Sequence, residues 1–224
     1  MEKILKGKMY YIDLETTEYF MEYLMMKEMD ELKDIKWHKS VVRNGKYNDG
    51  KLIDDMFSMS YGFNVDDRIG RGATEIDFDL CIPMIYKNIE DFSEDLYWFL
   101  NMEYNFDLYV WGSQYGFTFE ESNILFDLCH EMGHLKDFIE QTNEFGYFKS
   151  YADDEYNLYE LYQLRDEEVR FLGYRRLKTE STADQFAIEF LKKHGKKFKE
   201  IVRKGELLTE MTEEEVEKVS RNLR

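Results

Sequence analysis

The chain contains little cysteine, proline or histidine, and it has no long hydrophobic run. Its 224 residues include two cysteines, one proline and four histidines. Two cysteines are too few for the disulfide framework that holds small secreted domains together. No apolar run approaches the ~20 residues that a transmembrane helix needs, and the first residues lack the apolar segment of a signal peptide. We therefore expect a cytoplasmic protein that does not enter a membrane.

Positive charge is scarce as well. The formal net charge is −17, because 47 aspartates and glutamates outnumber 30 lysines and arginines. Such a chain repels nucleic-acid phosphates, which argues against nucleic acid as a partner. Residues 165–204 differ, since their 12 basic and 7 acidic side chains carry a net +5. This basic surface could attract an acidic partner. The alternative is that residues 194–204 form a solvated, lysine-rich helix end and linker.

Two of the four histidines flank a glutamate in the sequence HEMGH, residues 130–134. On a helix, positions i and i+4 lie on the same face, so His130 and His134 can offer two imidazoles to one metal ion. Glu131 projects beside them, where a carboxylate can take a proton from metal-bound water. The alternative is an ordinary amphipathic helix with two solvated histidines.

The residues around this motif predict a helix. Thr118 and Glu121 match a capping box, with Thr118 as the N-cap. No proline interrupts residues 119–141. Gly133 costs roughly 1 kcal/mol relative to alanine, but its small size would allow another backbone to approach closely. An apolar stripe at helical spacing runs through the segment: Ile124, Leu128, Leu135 and Phe138.

A third metal ligand is expected on another helix downstream, and Glu180 is the best candidate. Its segment predicts a helix that ends near Gly195. Asp184 lies one turn after Glu180, where its carboxylate can accept the second N–H of a ligand histidine and fix the tautomer. The alternative is a surface helix whose first turns carry acidic residues because the helix dipole favours them.

The combination of HExxH with a later Glu-x-x-x-Asp resembles the gluzincin group of zinc metallopeptidases. The segment ESTADQFAIEFL, residues 180–191, is most similar to the ImmA/IrrE-type metallopeptidases, which are compact bacterial and phage enzymes. Some members of that group cleave repressor proteins. The resemblance covers residues 118–195, about a third of the chain.

This resemblance implies a role for each residue of the two motifs. His130, His134 and Glu180 would bind Zn²⁺, and Glu131 would be the general base. Asp184 would be a supporting partner that accepts a hydrogen bond from a ligand histidine. The resemblance also implies a protein or peptide substrate in the cytoplasm of a bacterium or of a phage-infected host cell.

A gluzincin often needs a donor that stabilises the oxyanion of its tetrahedral intermediate. Tyr174, Arg175 and Arg176 immediately precede the predicted Glu180 helix, and each could serve. Tyr174 is our candidate, although the sequence does not choose among the three. Other tyrosines of this region, between the two motifs, are expected to be packing residues with solvated hydroxyls.

The pattern along the chain predicts an α+β fold with a zincin-like core, in which the HExxH helix and the ligand-bearing helix accompany a small mixed or antiparallel sheet. We expect an N-terminal α+β portion over residues 1–115, a catalytic portion over 116–204 and a C-terminal helix within 205–224. Thr212 and Glu215 match a second capping box, which would start that helix.

Several elements are predicted outside the two motifs. Strands are expected over residues 8–14, 74–86 and 106–112, and helices over 17–33, where Thr17 is the N-cap, and 93–102. Asn44-Gly45 indicates a hairpin turn. Residues 107–111 are our candidate for an edge strand that pairs with an extended peptide substrate.

We therefore expect a zinc-dependent endopeptidase that cleaves an intracellular, regulatory protein. The rival expectation is an acidic binding or counter-defence protein of a phage or mobile element, with a zinc site that is not catalytic. A structural zinc site would be closed by a fourth protein ligand. His38, His194 and Cys81 are isolated from the motifs, and Cys129 points away from the motif face as a core residue, so we expect an open fourth position.

Overall fold

The computed structural model of the chain describes residues 9–22, 27, 36–44, 46–48, 51–53, 58–64, 75–83, 86–87, 106–145, 149–202, 207–212, 214–215 and 218. Strands occupy Met9–Ile12 (β1), Lys36–Asn44 (β2), Lys46–Asn48 (β3), Lys51–Ile53 (β4), Ser58–Asn64 (β5), Glu75–Pro83 (β6), Tyr86–Lys87 (β7) and Leu208–Met211 (β8). Helices occupy Leu14–Phe20 (α1), Leu108–Tyr115 (α2), Phe119–Phe145 (α3), Lys149–Tyr162 (α4), Glu167–Arg175 (α5) and Lys178–Val202 (α6).

The strands form small sheets. In the first, β1 is the middle strand and pairs antiparallel with β7 and with β8. In the second, β6 is the middle strand and pairs parallel with β2 and antiparallel with β5. Strands β3 and β4 form a separate antiparallel pair. The α+β class predicted from the sequence is confirmed, and helices predominate from residue 106 onward.

The described hydrophobic core lies between the helices. Phe126 and Leu128 of α3 and Leu191 of α6 contribute to it, and all three are buried. Trp111 of α2 packs on the same core and donates its indole N–H to the Leu191 carbonyl oxygen at 3.1 Å. Phe20 of α1 stacks near Phe198 of α6, with 5.2 Å between ring centroids. Helix α6 is therefore contacted from several sides.

No helix within the described part of the chain combines the length and the apolar character needed to cross a bilayer. The predicted domain boundaries stay a prediction. Two contacts join the portions that they separate: α1 packs against α6, and β1 pairs with β8. The C-terminal portion contains strand β8, which the sequence does not predict. Residues 214–215 and 218, within the predicted C-terminal helix, are helical.

Both predicted capping boxes are confirmed. The Glu121 backbone N–H donates to Thr118 Oγ1 at 3.1 Å, and the Thr118 N–H donates to Glu121 Oε2 at 2.8 Å. The same reciprocal pair joins Glu215 and Thr212 at 3.3 and 2.8 Å. Each pair satisfies backbone donors that the first turn of a helix leaves without an internal partner.

The prediction of a strand over residues 106–112 is wrong, because this segment forms helix α2. Asp107 caps it by accepting the Val110 N–H at 2.9 Å, and Gly116 ends it in the left-handed conformation, with φ of 77°. Leu108 and Trp111, three residues apart, are buried while Val110 is exposed, which is helical and not strand periodicity. Residues 107–111 therefore cannot serve as an edge strand for a substrate.

Three further predictions need correction. Asp13, and not Thr17, is the N-cap of the first helix, because its Oδ2 accepts the Thr16 N–H at 2.7 Å. Strands β2 and β3 flank Gly45 but do not pair with each other, since β2 pairs with β6 and β3 with β4. Helix α6 does not stop at Gly195 and continues to Val202.

The reason for the last correction is a packing contact. A Cβ built on Gly195 would lie 2.4 Å from Cε2 of Tyr115, so glycine is needed there for close packing and not for helix termination. The predicted strands over residues 8–14 and 74–86 are confirmed as β1 and β6, which occupy the shorter ranges Met9–Ile12 and Glu75–Pro83. The predicted helix over residues 93–102 lies outside the described residues, and so do parts of the one over 17–33.

The start of α6 is capped by a distant residue. Asp154 of α4 is 2% exposed, and its carboxylate accepts the backbone N–H of Lys178 at 3.1 Å and that of Thr179 at 2.8 Å. The Thr179 hydroxyl donates to the same carboxylate at 2.8 Å. A negative charge at this end of a helix is also favoured by the helix dipole. Asp154 thereby fixes the first turn of α6 against α4.

We expect Asp154→Ala to lower the free energy of unfolding by about 1–3 kcal/mol, because it removes a buried acceptor and leaves two backbone donors without a partner. Urea denaturation followed by circular dichroism measures the change. Asp153→Ala is the matched control, since Asp153 is the exposed neighbour on the same helix. Equal stabilities of the two variants would contradict the capping role.

Candidate metal centre

Gly133 lies where α3 crosses α6. A Cβ built on it would lie 2.8 Å from the Ala183 Cα and 2.9 Å from the Ala183 carbonyl oxygen, and 3.2 Å from the Phe186 Cβ. Two of these atoms belong to the backbone of α6, which cannot move aside as a flexible side chain can. The expectation that Gly133 allows another backbone to approach closely is therefore confirmed, and the partner is the helix that carries Glu180.

This crossing brings His130, His134 and Glu180 together, and their ligand atoms lie within 4.8 Å of one another. The two Nε2 atoms are 3.0 Å apart. Nε2 of His130 is 3.4 Å from Glu180 Oε2, and Nε2 of His134 is 3.5 Å from Glu180 Oε1. Ligand atoms that bind one tetrahedral ion at 2.0–2.1 Å are about 3.3 Å apart. The three residues are thus close enough to hold a metal ion.

Asp184 sets the orientation of the first histidine. It lies one turn after Glu180, is 0% exposed, and its Oδ1 is 2.9 Å from His130 Nδ1. A carboxylate only accepts hydrogen bonds, so Nδ1 carries the proton and donates it. The other ring nitrogen, Nε2, is the one that faces His134 and Glu180. Asp184 therefore lies where the sequence predicts a supporting carboxylate, and His130 presents the ring nitrogen that a metal needs.

The three ligand residues influence each other's protonation. Burial lowers the pKa of His130, but hydrogen bonds to Asp184 and Glu180 outweigh it and raise the pKa to about 9. Burial and the charge on His130 lower the pKa of His134 to about 4. Burial raises the pKa of Glu180, yet the hydrogen bond from His130 and the nearby positive charges lower it to about 2.

Glu131 is partly buried beside the ligands on α3. Burial raises the pKa of its carboxyl to about 7, although the charge on His130 opposes the shift. The side chain is not one of the three converging ligand residues. Its position one residue after His130 and next to the ligand face is the one that a general base would need.

Asp127 is a further acidic residue close to these groups, and the sequence-based prediction of the site does not include it. It lies on α3 one turn before His130 and Glu131, and burial raises the pKa of its carboxyl to about 7, against the charges of His130 and Arg175. The spacings of three and four residues from the HExxH motif place it on the same helix face, and this was the signal that could have identified it.

Tyr174 and Arg175, the last two residues of α5, both contact Glu180. Arg175 is 9% exposed and donates from Nη1 to Glu180 Oε2 at 3.1 Å and from Nη2 to Asp184 Oδ1. Tyr174 is 39% exposed, and burial, the charge on Glu180 and a hydrogen bond to that carboxylate raise its pKa above the usual range. Arg176, the third candidate, is exposed.

Among the described residues, no fourth histidine, cysteine or carboxylate joins the three ligands. His194 lies on the same helix as Glu180 but 14 residues later, roughly 21 Å along the axis, where its ring packs 4.4 Å from that of Phe190. Cys129 is buried in the core, as expected, and burial raises its pKa. His38 lies in β2, and Cys81 in β6.

The arrangement is a candidate metal centre made of two imidazoles from one helix and a carboxylate from a second. A further carboxylate, Glu131, follows His130 directly on the same helix. Asp184 accepts a hydrogen bond from His130, and Arg175 donates to Glu180 and Asp184. No protein-family model, curated protein or solved structure matches the chain.

We expect the protein to bind one divalent metal ion per chain, and Glu180→Gln or His134→Ala to abolish stoichiometric binding, because each removes one of three converging ligand atoms. Elemental analysis after dialysis against a defined zinc buffer measures the metal content. Glu189→Gln is the matched control, because Glu189 is an exposed carboxylate of the same helix. Equal metal content in wild type and Glu180→Gln would contradict the ligand assignment.

We expect Gly133→Ala to destabilise the fold by about 1–3 kcal/mol through overpacking against the α6 backbone, although alanine is intrinsically favoured in a helix by about 1 kcal/mol. It should also weaken metal binding, because α6 carries Glu180. Gly173→Ala is the control: the three atoms nearest to its Cβ all belong to the side chain of Leu161, and none of them belongs to a backbone. A variant Gly133→Ala with wild-type stability and metal content would show that the crossing is not tight.

Proposed function

We propose that this protein is a zinc-dependent endopeptidase. The observation that carries the proposal is the convergence of His130 Nε2, His134 Nε2 and the Glu180 carboxylate at mutual distances of 3.0–3.5 Å, next to Glu131, with no fourth ligand among the described residues. Three protein ligands with an adjacent carboxylate are typical of catalytic zinc sites, whereas structural sites are closed by four.

Zinc is the ion that the donor set favours. Two imidazole nitrogens and one carboxylate oxygen suit Zn²⁺, whereas Mg²⁺ and Ca²⁺ prefer shells made of oxygen. The spacing of the ligand atoms also matches a tetrahedral ion at zinc–ligand distances. His130, His134 and Glu180 would hold the ion, and Asp184 would keep His130 in the tautomer that binds it.

When bound, Zn²⁺ supplies a Lewis acid that lowers the pKa of a water and polarises a carbonyl group. Glu131 accepts the proton of the attacking water and passes it to the leaving amine of the peptide bond. Tyr174 is our candidate for the oxyanion donor, because its hydroxyl lies beside Glu180 and the side chain is exposed enough for a substrate to reach. The Nη atoms of Arg175 already donate to carboxylates, which argues against it in this role.

The substrate class comes from the resemblance of residues 130–134 and 180–191 to gluzincins of the ImmA/IrrE type. On this basis we propose an intracellular regulatory protein as substrate and a bacterial or phage-infected cytoplasm as the location. The net charge of −17 also supports a second candidate, an acidic binding protein whose zinc is not catalytic. The two proposed functions differ in whether they require Glu131, because a binding protein has no need of a general base.

We expect Glu131→Gln to keep the fold and the zinc but to lower peptide hydrolysis by roughly 10²–10⁴-fold, since an amide cannot accept the proton. The substrate is a peptide library made by digesting a bacterial proteome. Incubation with the zinc-loaded protein, followed by mass spectrometry of new peptide termini, measures cleavage.

Glu189→Gln serves as the control for the same chemical change at an exposed carboxylate, and it should cleave like the wild type. Cleavage by Glu131→Gln at the wild-type rate would refute the mechanism. Full zinc loading without any new termini in the wild type would favour the binding protein.

A further inference from the structure

Arg175 occupies an unusual place for an arginine. It is the last residue of α5 and only 9% of it is exposed, yet it lies against the first turns of α6 and not in solvent. A buried guanidinium is costly unless its charge is paired and its N–H groups are hydrogen-bonded. Here the pairing groups are the two acidic residues of the metal centre.

The guanidinium contacts two carboxylates that are one helical turn apart. Nη1 donates to Glu180 Oε2 at 3.1 Å, and Nη2 donates to Asp184 Oδ1. Two N–H groups in a fixed planar fork determine the spacing between their acceptors, which a single flexible ammonium cannot do. The fork of Arg175 thus links the side chains of Glu180 and Asp184 to each other.

One acceptor belongs to a proposed metal ligand, and the other is hydrogen-bonded to one. Asp184 Oδ1, which accepts from Arg175, also accepts from His130 Nδ1 at 2.9 Å. Glu180 Oε2, the other acceptor, lies 3.4 Å from His130 Nε2, whereas Oε1 faces His134 Nε2 at 3.5 Å. A change in the position of Arg175 would therefore alter the orientation of Glu180 directly and that of the His130 ring through Asp184.

We infer that Arg175 is a positioning residue of the metal centre. It holds Glu180 in the orientation that binds the ion and, through Asp184, it holds the ring of His130. This inference rests on the metal site of the proposed function and adds a residue that acts through the ligands without touching the ion.

Loss of the guanidinium has two physical consequences. The carboxylates of Glu180 and Asp184, at positions i and i+4 of α6, would repel each other without a shared counter-charge. Glu180 would also be free to rotate about its side-chain torsions, so binding the ion would cost more conformational entropy. Both effects disturb the orientation of Glu180 while all three ligands remain present. We expect this loss of orientation to outweigh the removal of a positive charge that repels the cation, so metal binding should weaken.

The test compares the zinc affinities of the folded wild type, Arg175→Met and Arg175→Lys by competition with a chromogenic chelator. We expect Arg175→Met to bind zinc about 10–100-fold more weakly, the usual effect of removing a group that supports metal ligands. Arg175→Lys keeps the charge but donates to one carboxylate at a time, so its affinity should lie between the two. Arg165→Met, at an exposed arginine in the preceding loop, should bind like the wild type.

The visible spectrum of the Co²⁺-loaded proteins gives a second readout, which reports the ligand geometry and not the stability of the fold. A changed Co²⁺ spectrum in Arg175→Met, with a native far-ultraviolet circular dichroism spectrum, would support positioning. Wild-type affinity and spectrum in Arg175→Met would overturn the inference. If Arg175→Met does not fold, wild-type affinity in Arg175→Lys overturns it instead. A wild-type protein that binds no zinc would refute the proposed metal site itself.

Discussion

The close crossing of α3 and α6 at Gly133 is the constraint on which the described structure of the site depends. Helix α3 carries two histidines and α6 carries two carboxylates, and neither helix alone supplies enough ligands for a metal ion. These residues come together as a candidate metal centre only because the backbone of α6 lies against Gly133, where a Cβ would be 2.8 Å from the Ala183 Cα. Ala183 lies between Glu180 and Asp184 in sequence, so the point of closest approach is also the segment that supplies the carboxylates.

The buried charges of the site serve to orient its side chains and not to stabilise the fold. Glu180, Asp184 and Arg175 are all nearly buried, and taking such charges out of water costs free energy that their mutual attraction does not reliably offset. A hydrophobic packing of the same volume would give a core of similar or greater stability. What the charged network provides instead is orientation, because each group has a fixed partner: Arg175 donates to both carboxylates, and Asp184 accepts from His130. The network therefore holds the side chains of the candidate site in defined orientations.

The features that could be predicted from the sequence depend on residues that are close together in the chain. The HExxH helix, both capping boxes and the supporting position of Asp184 follow from residues three or four apart, and the structure contains each of them. Residues 106–112 misled the prediction because Phe106, Leu108 and Val110 alternate as in a strand, whereas the cap at Asp107 makes a helix. The cap of α6 by Asp154 could not be predicted, since its partners lie 24 and 25 residues away. The contacts of Arg175 depend on the angle between α5 and α6, and no local sequence pattern predicts that angle.

These long-range contacts change how the segment between the two motifs should be understood. Residues 135–179 could be taken as a spacer that only carries the chain from one ligand helix to the next. In the structure this segment provides Asp154, which caps the first turn of α6, and Arg175, which binds the carboxylates of its first two turns. Both contacts act on the end of α6 that bears Glu180, from α4 and α5 respectively. The ligand helix is thus fixed from three sides, by α3 through Gly133 and by the intervening helices through two charged side chains. A metal site assembled from separate helices needs such support, because an error of about 1 Å in a ligand position is enough to impair its function.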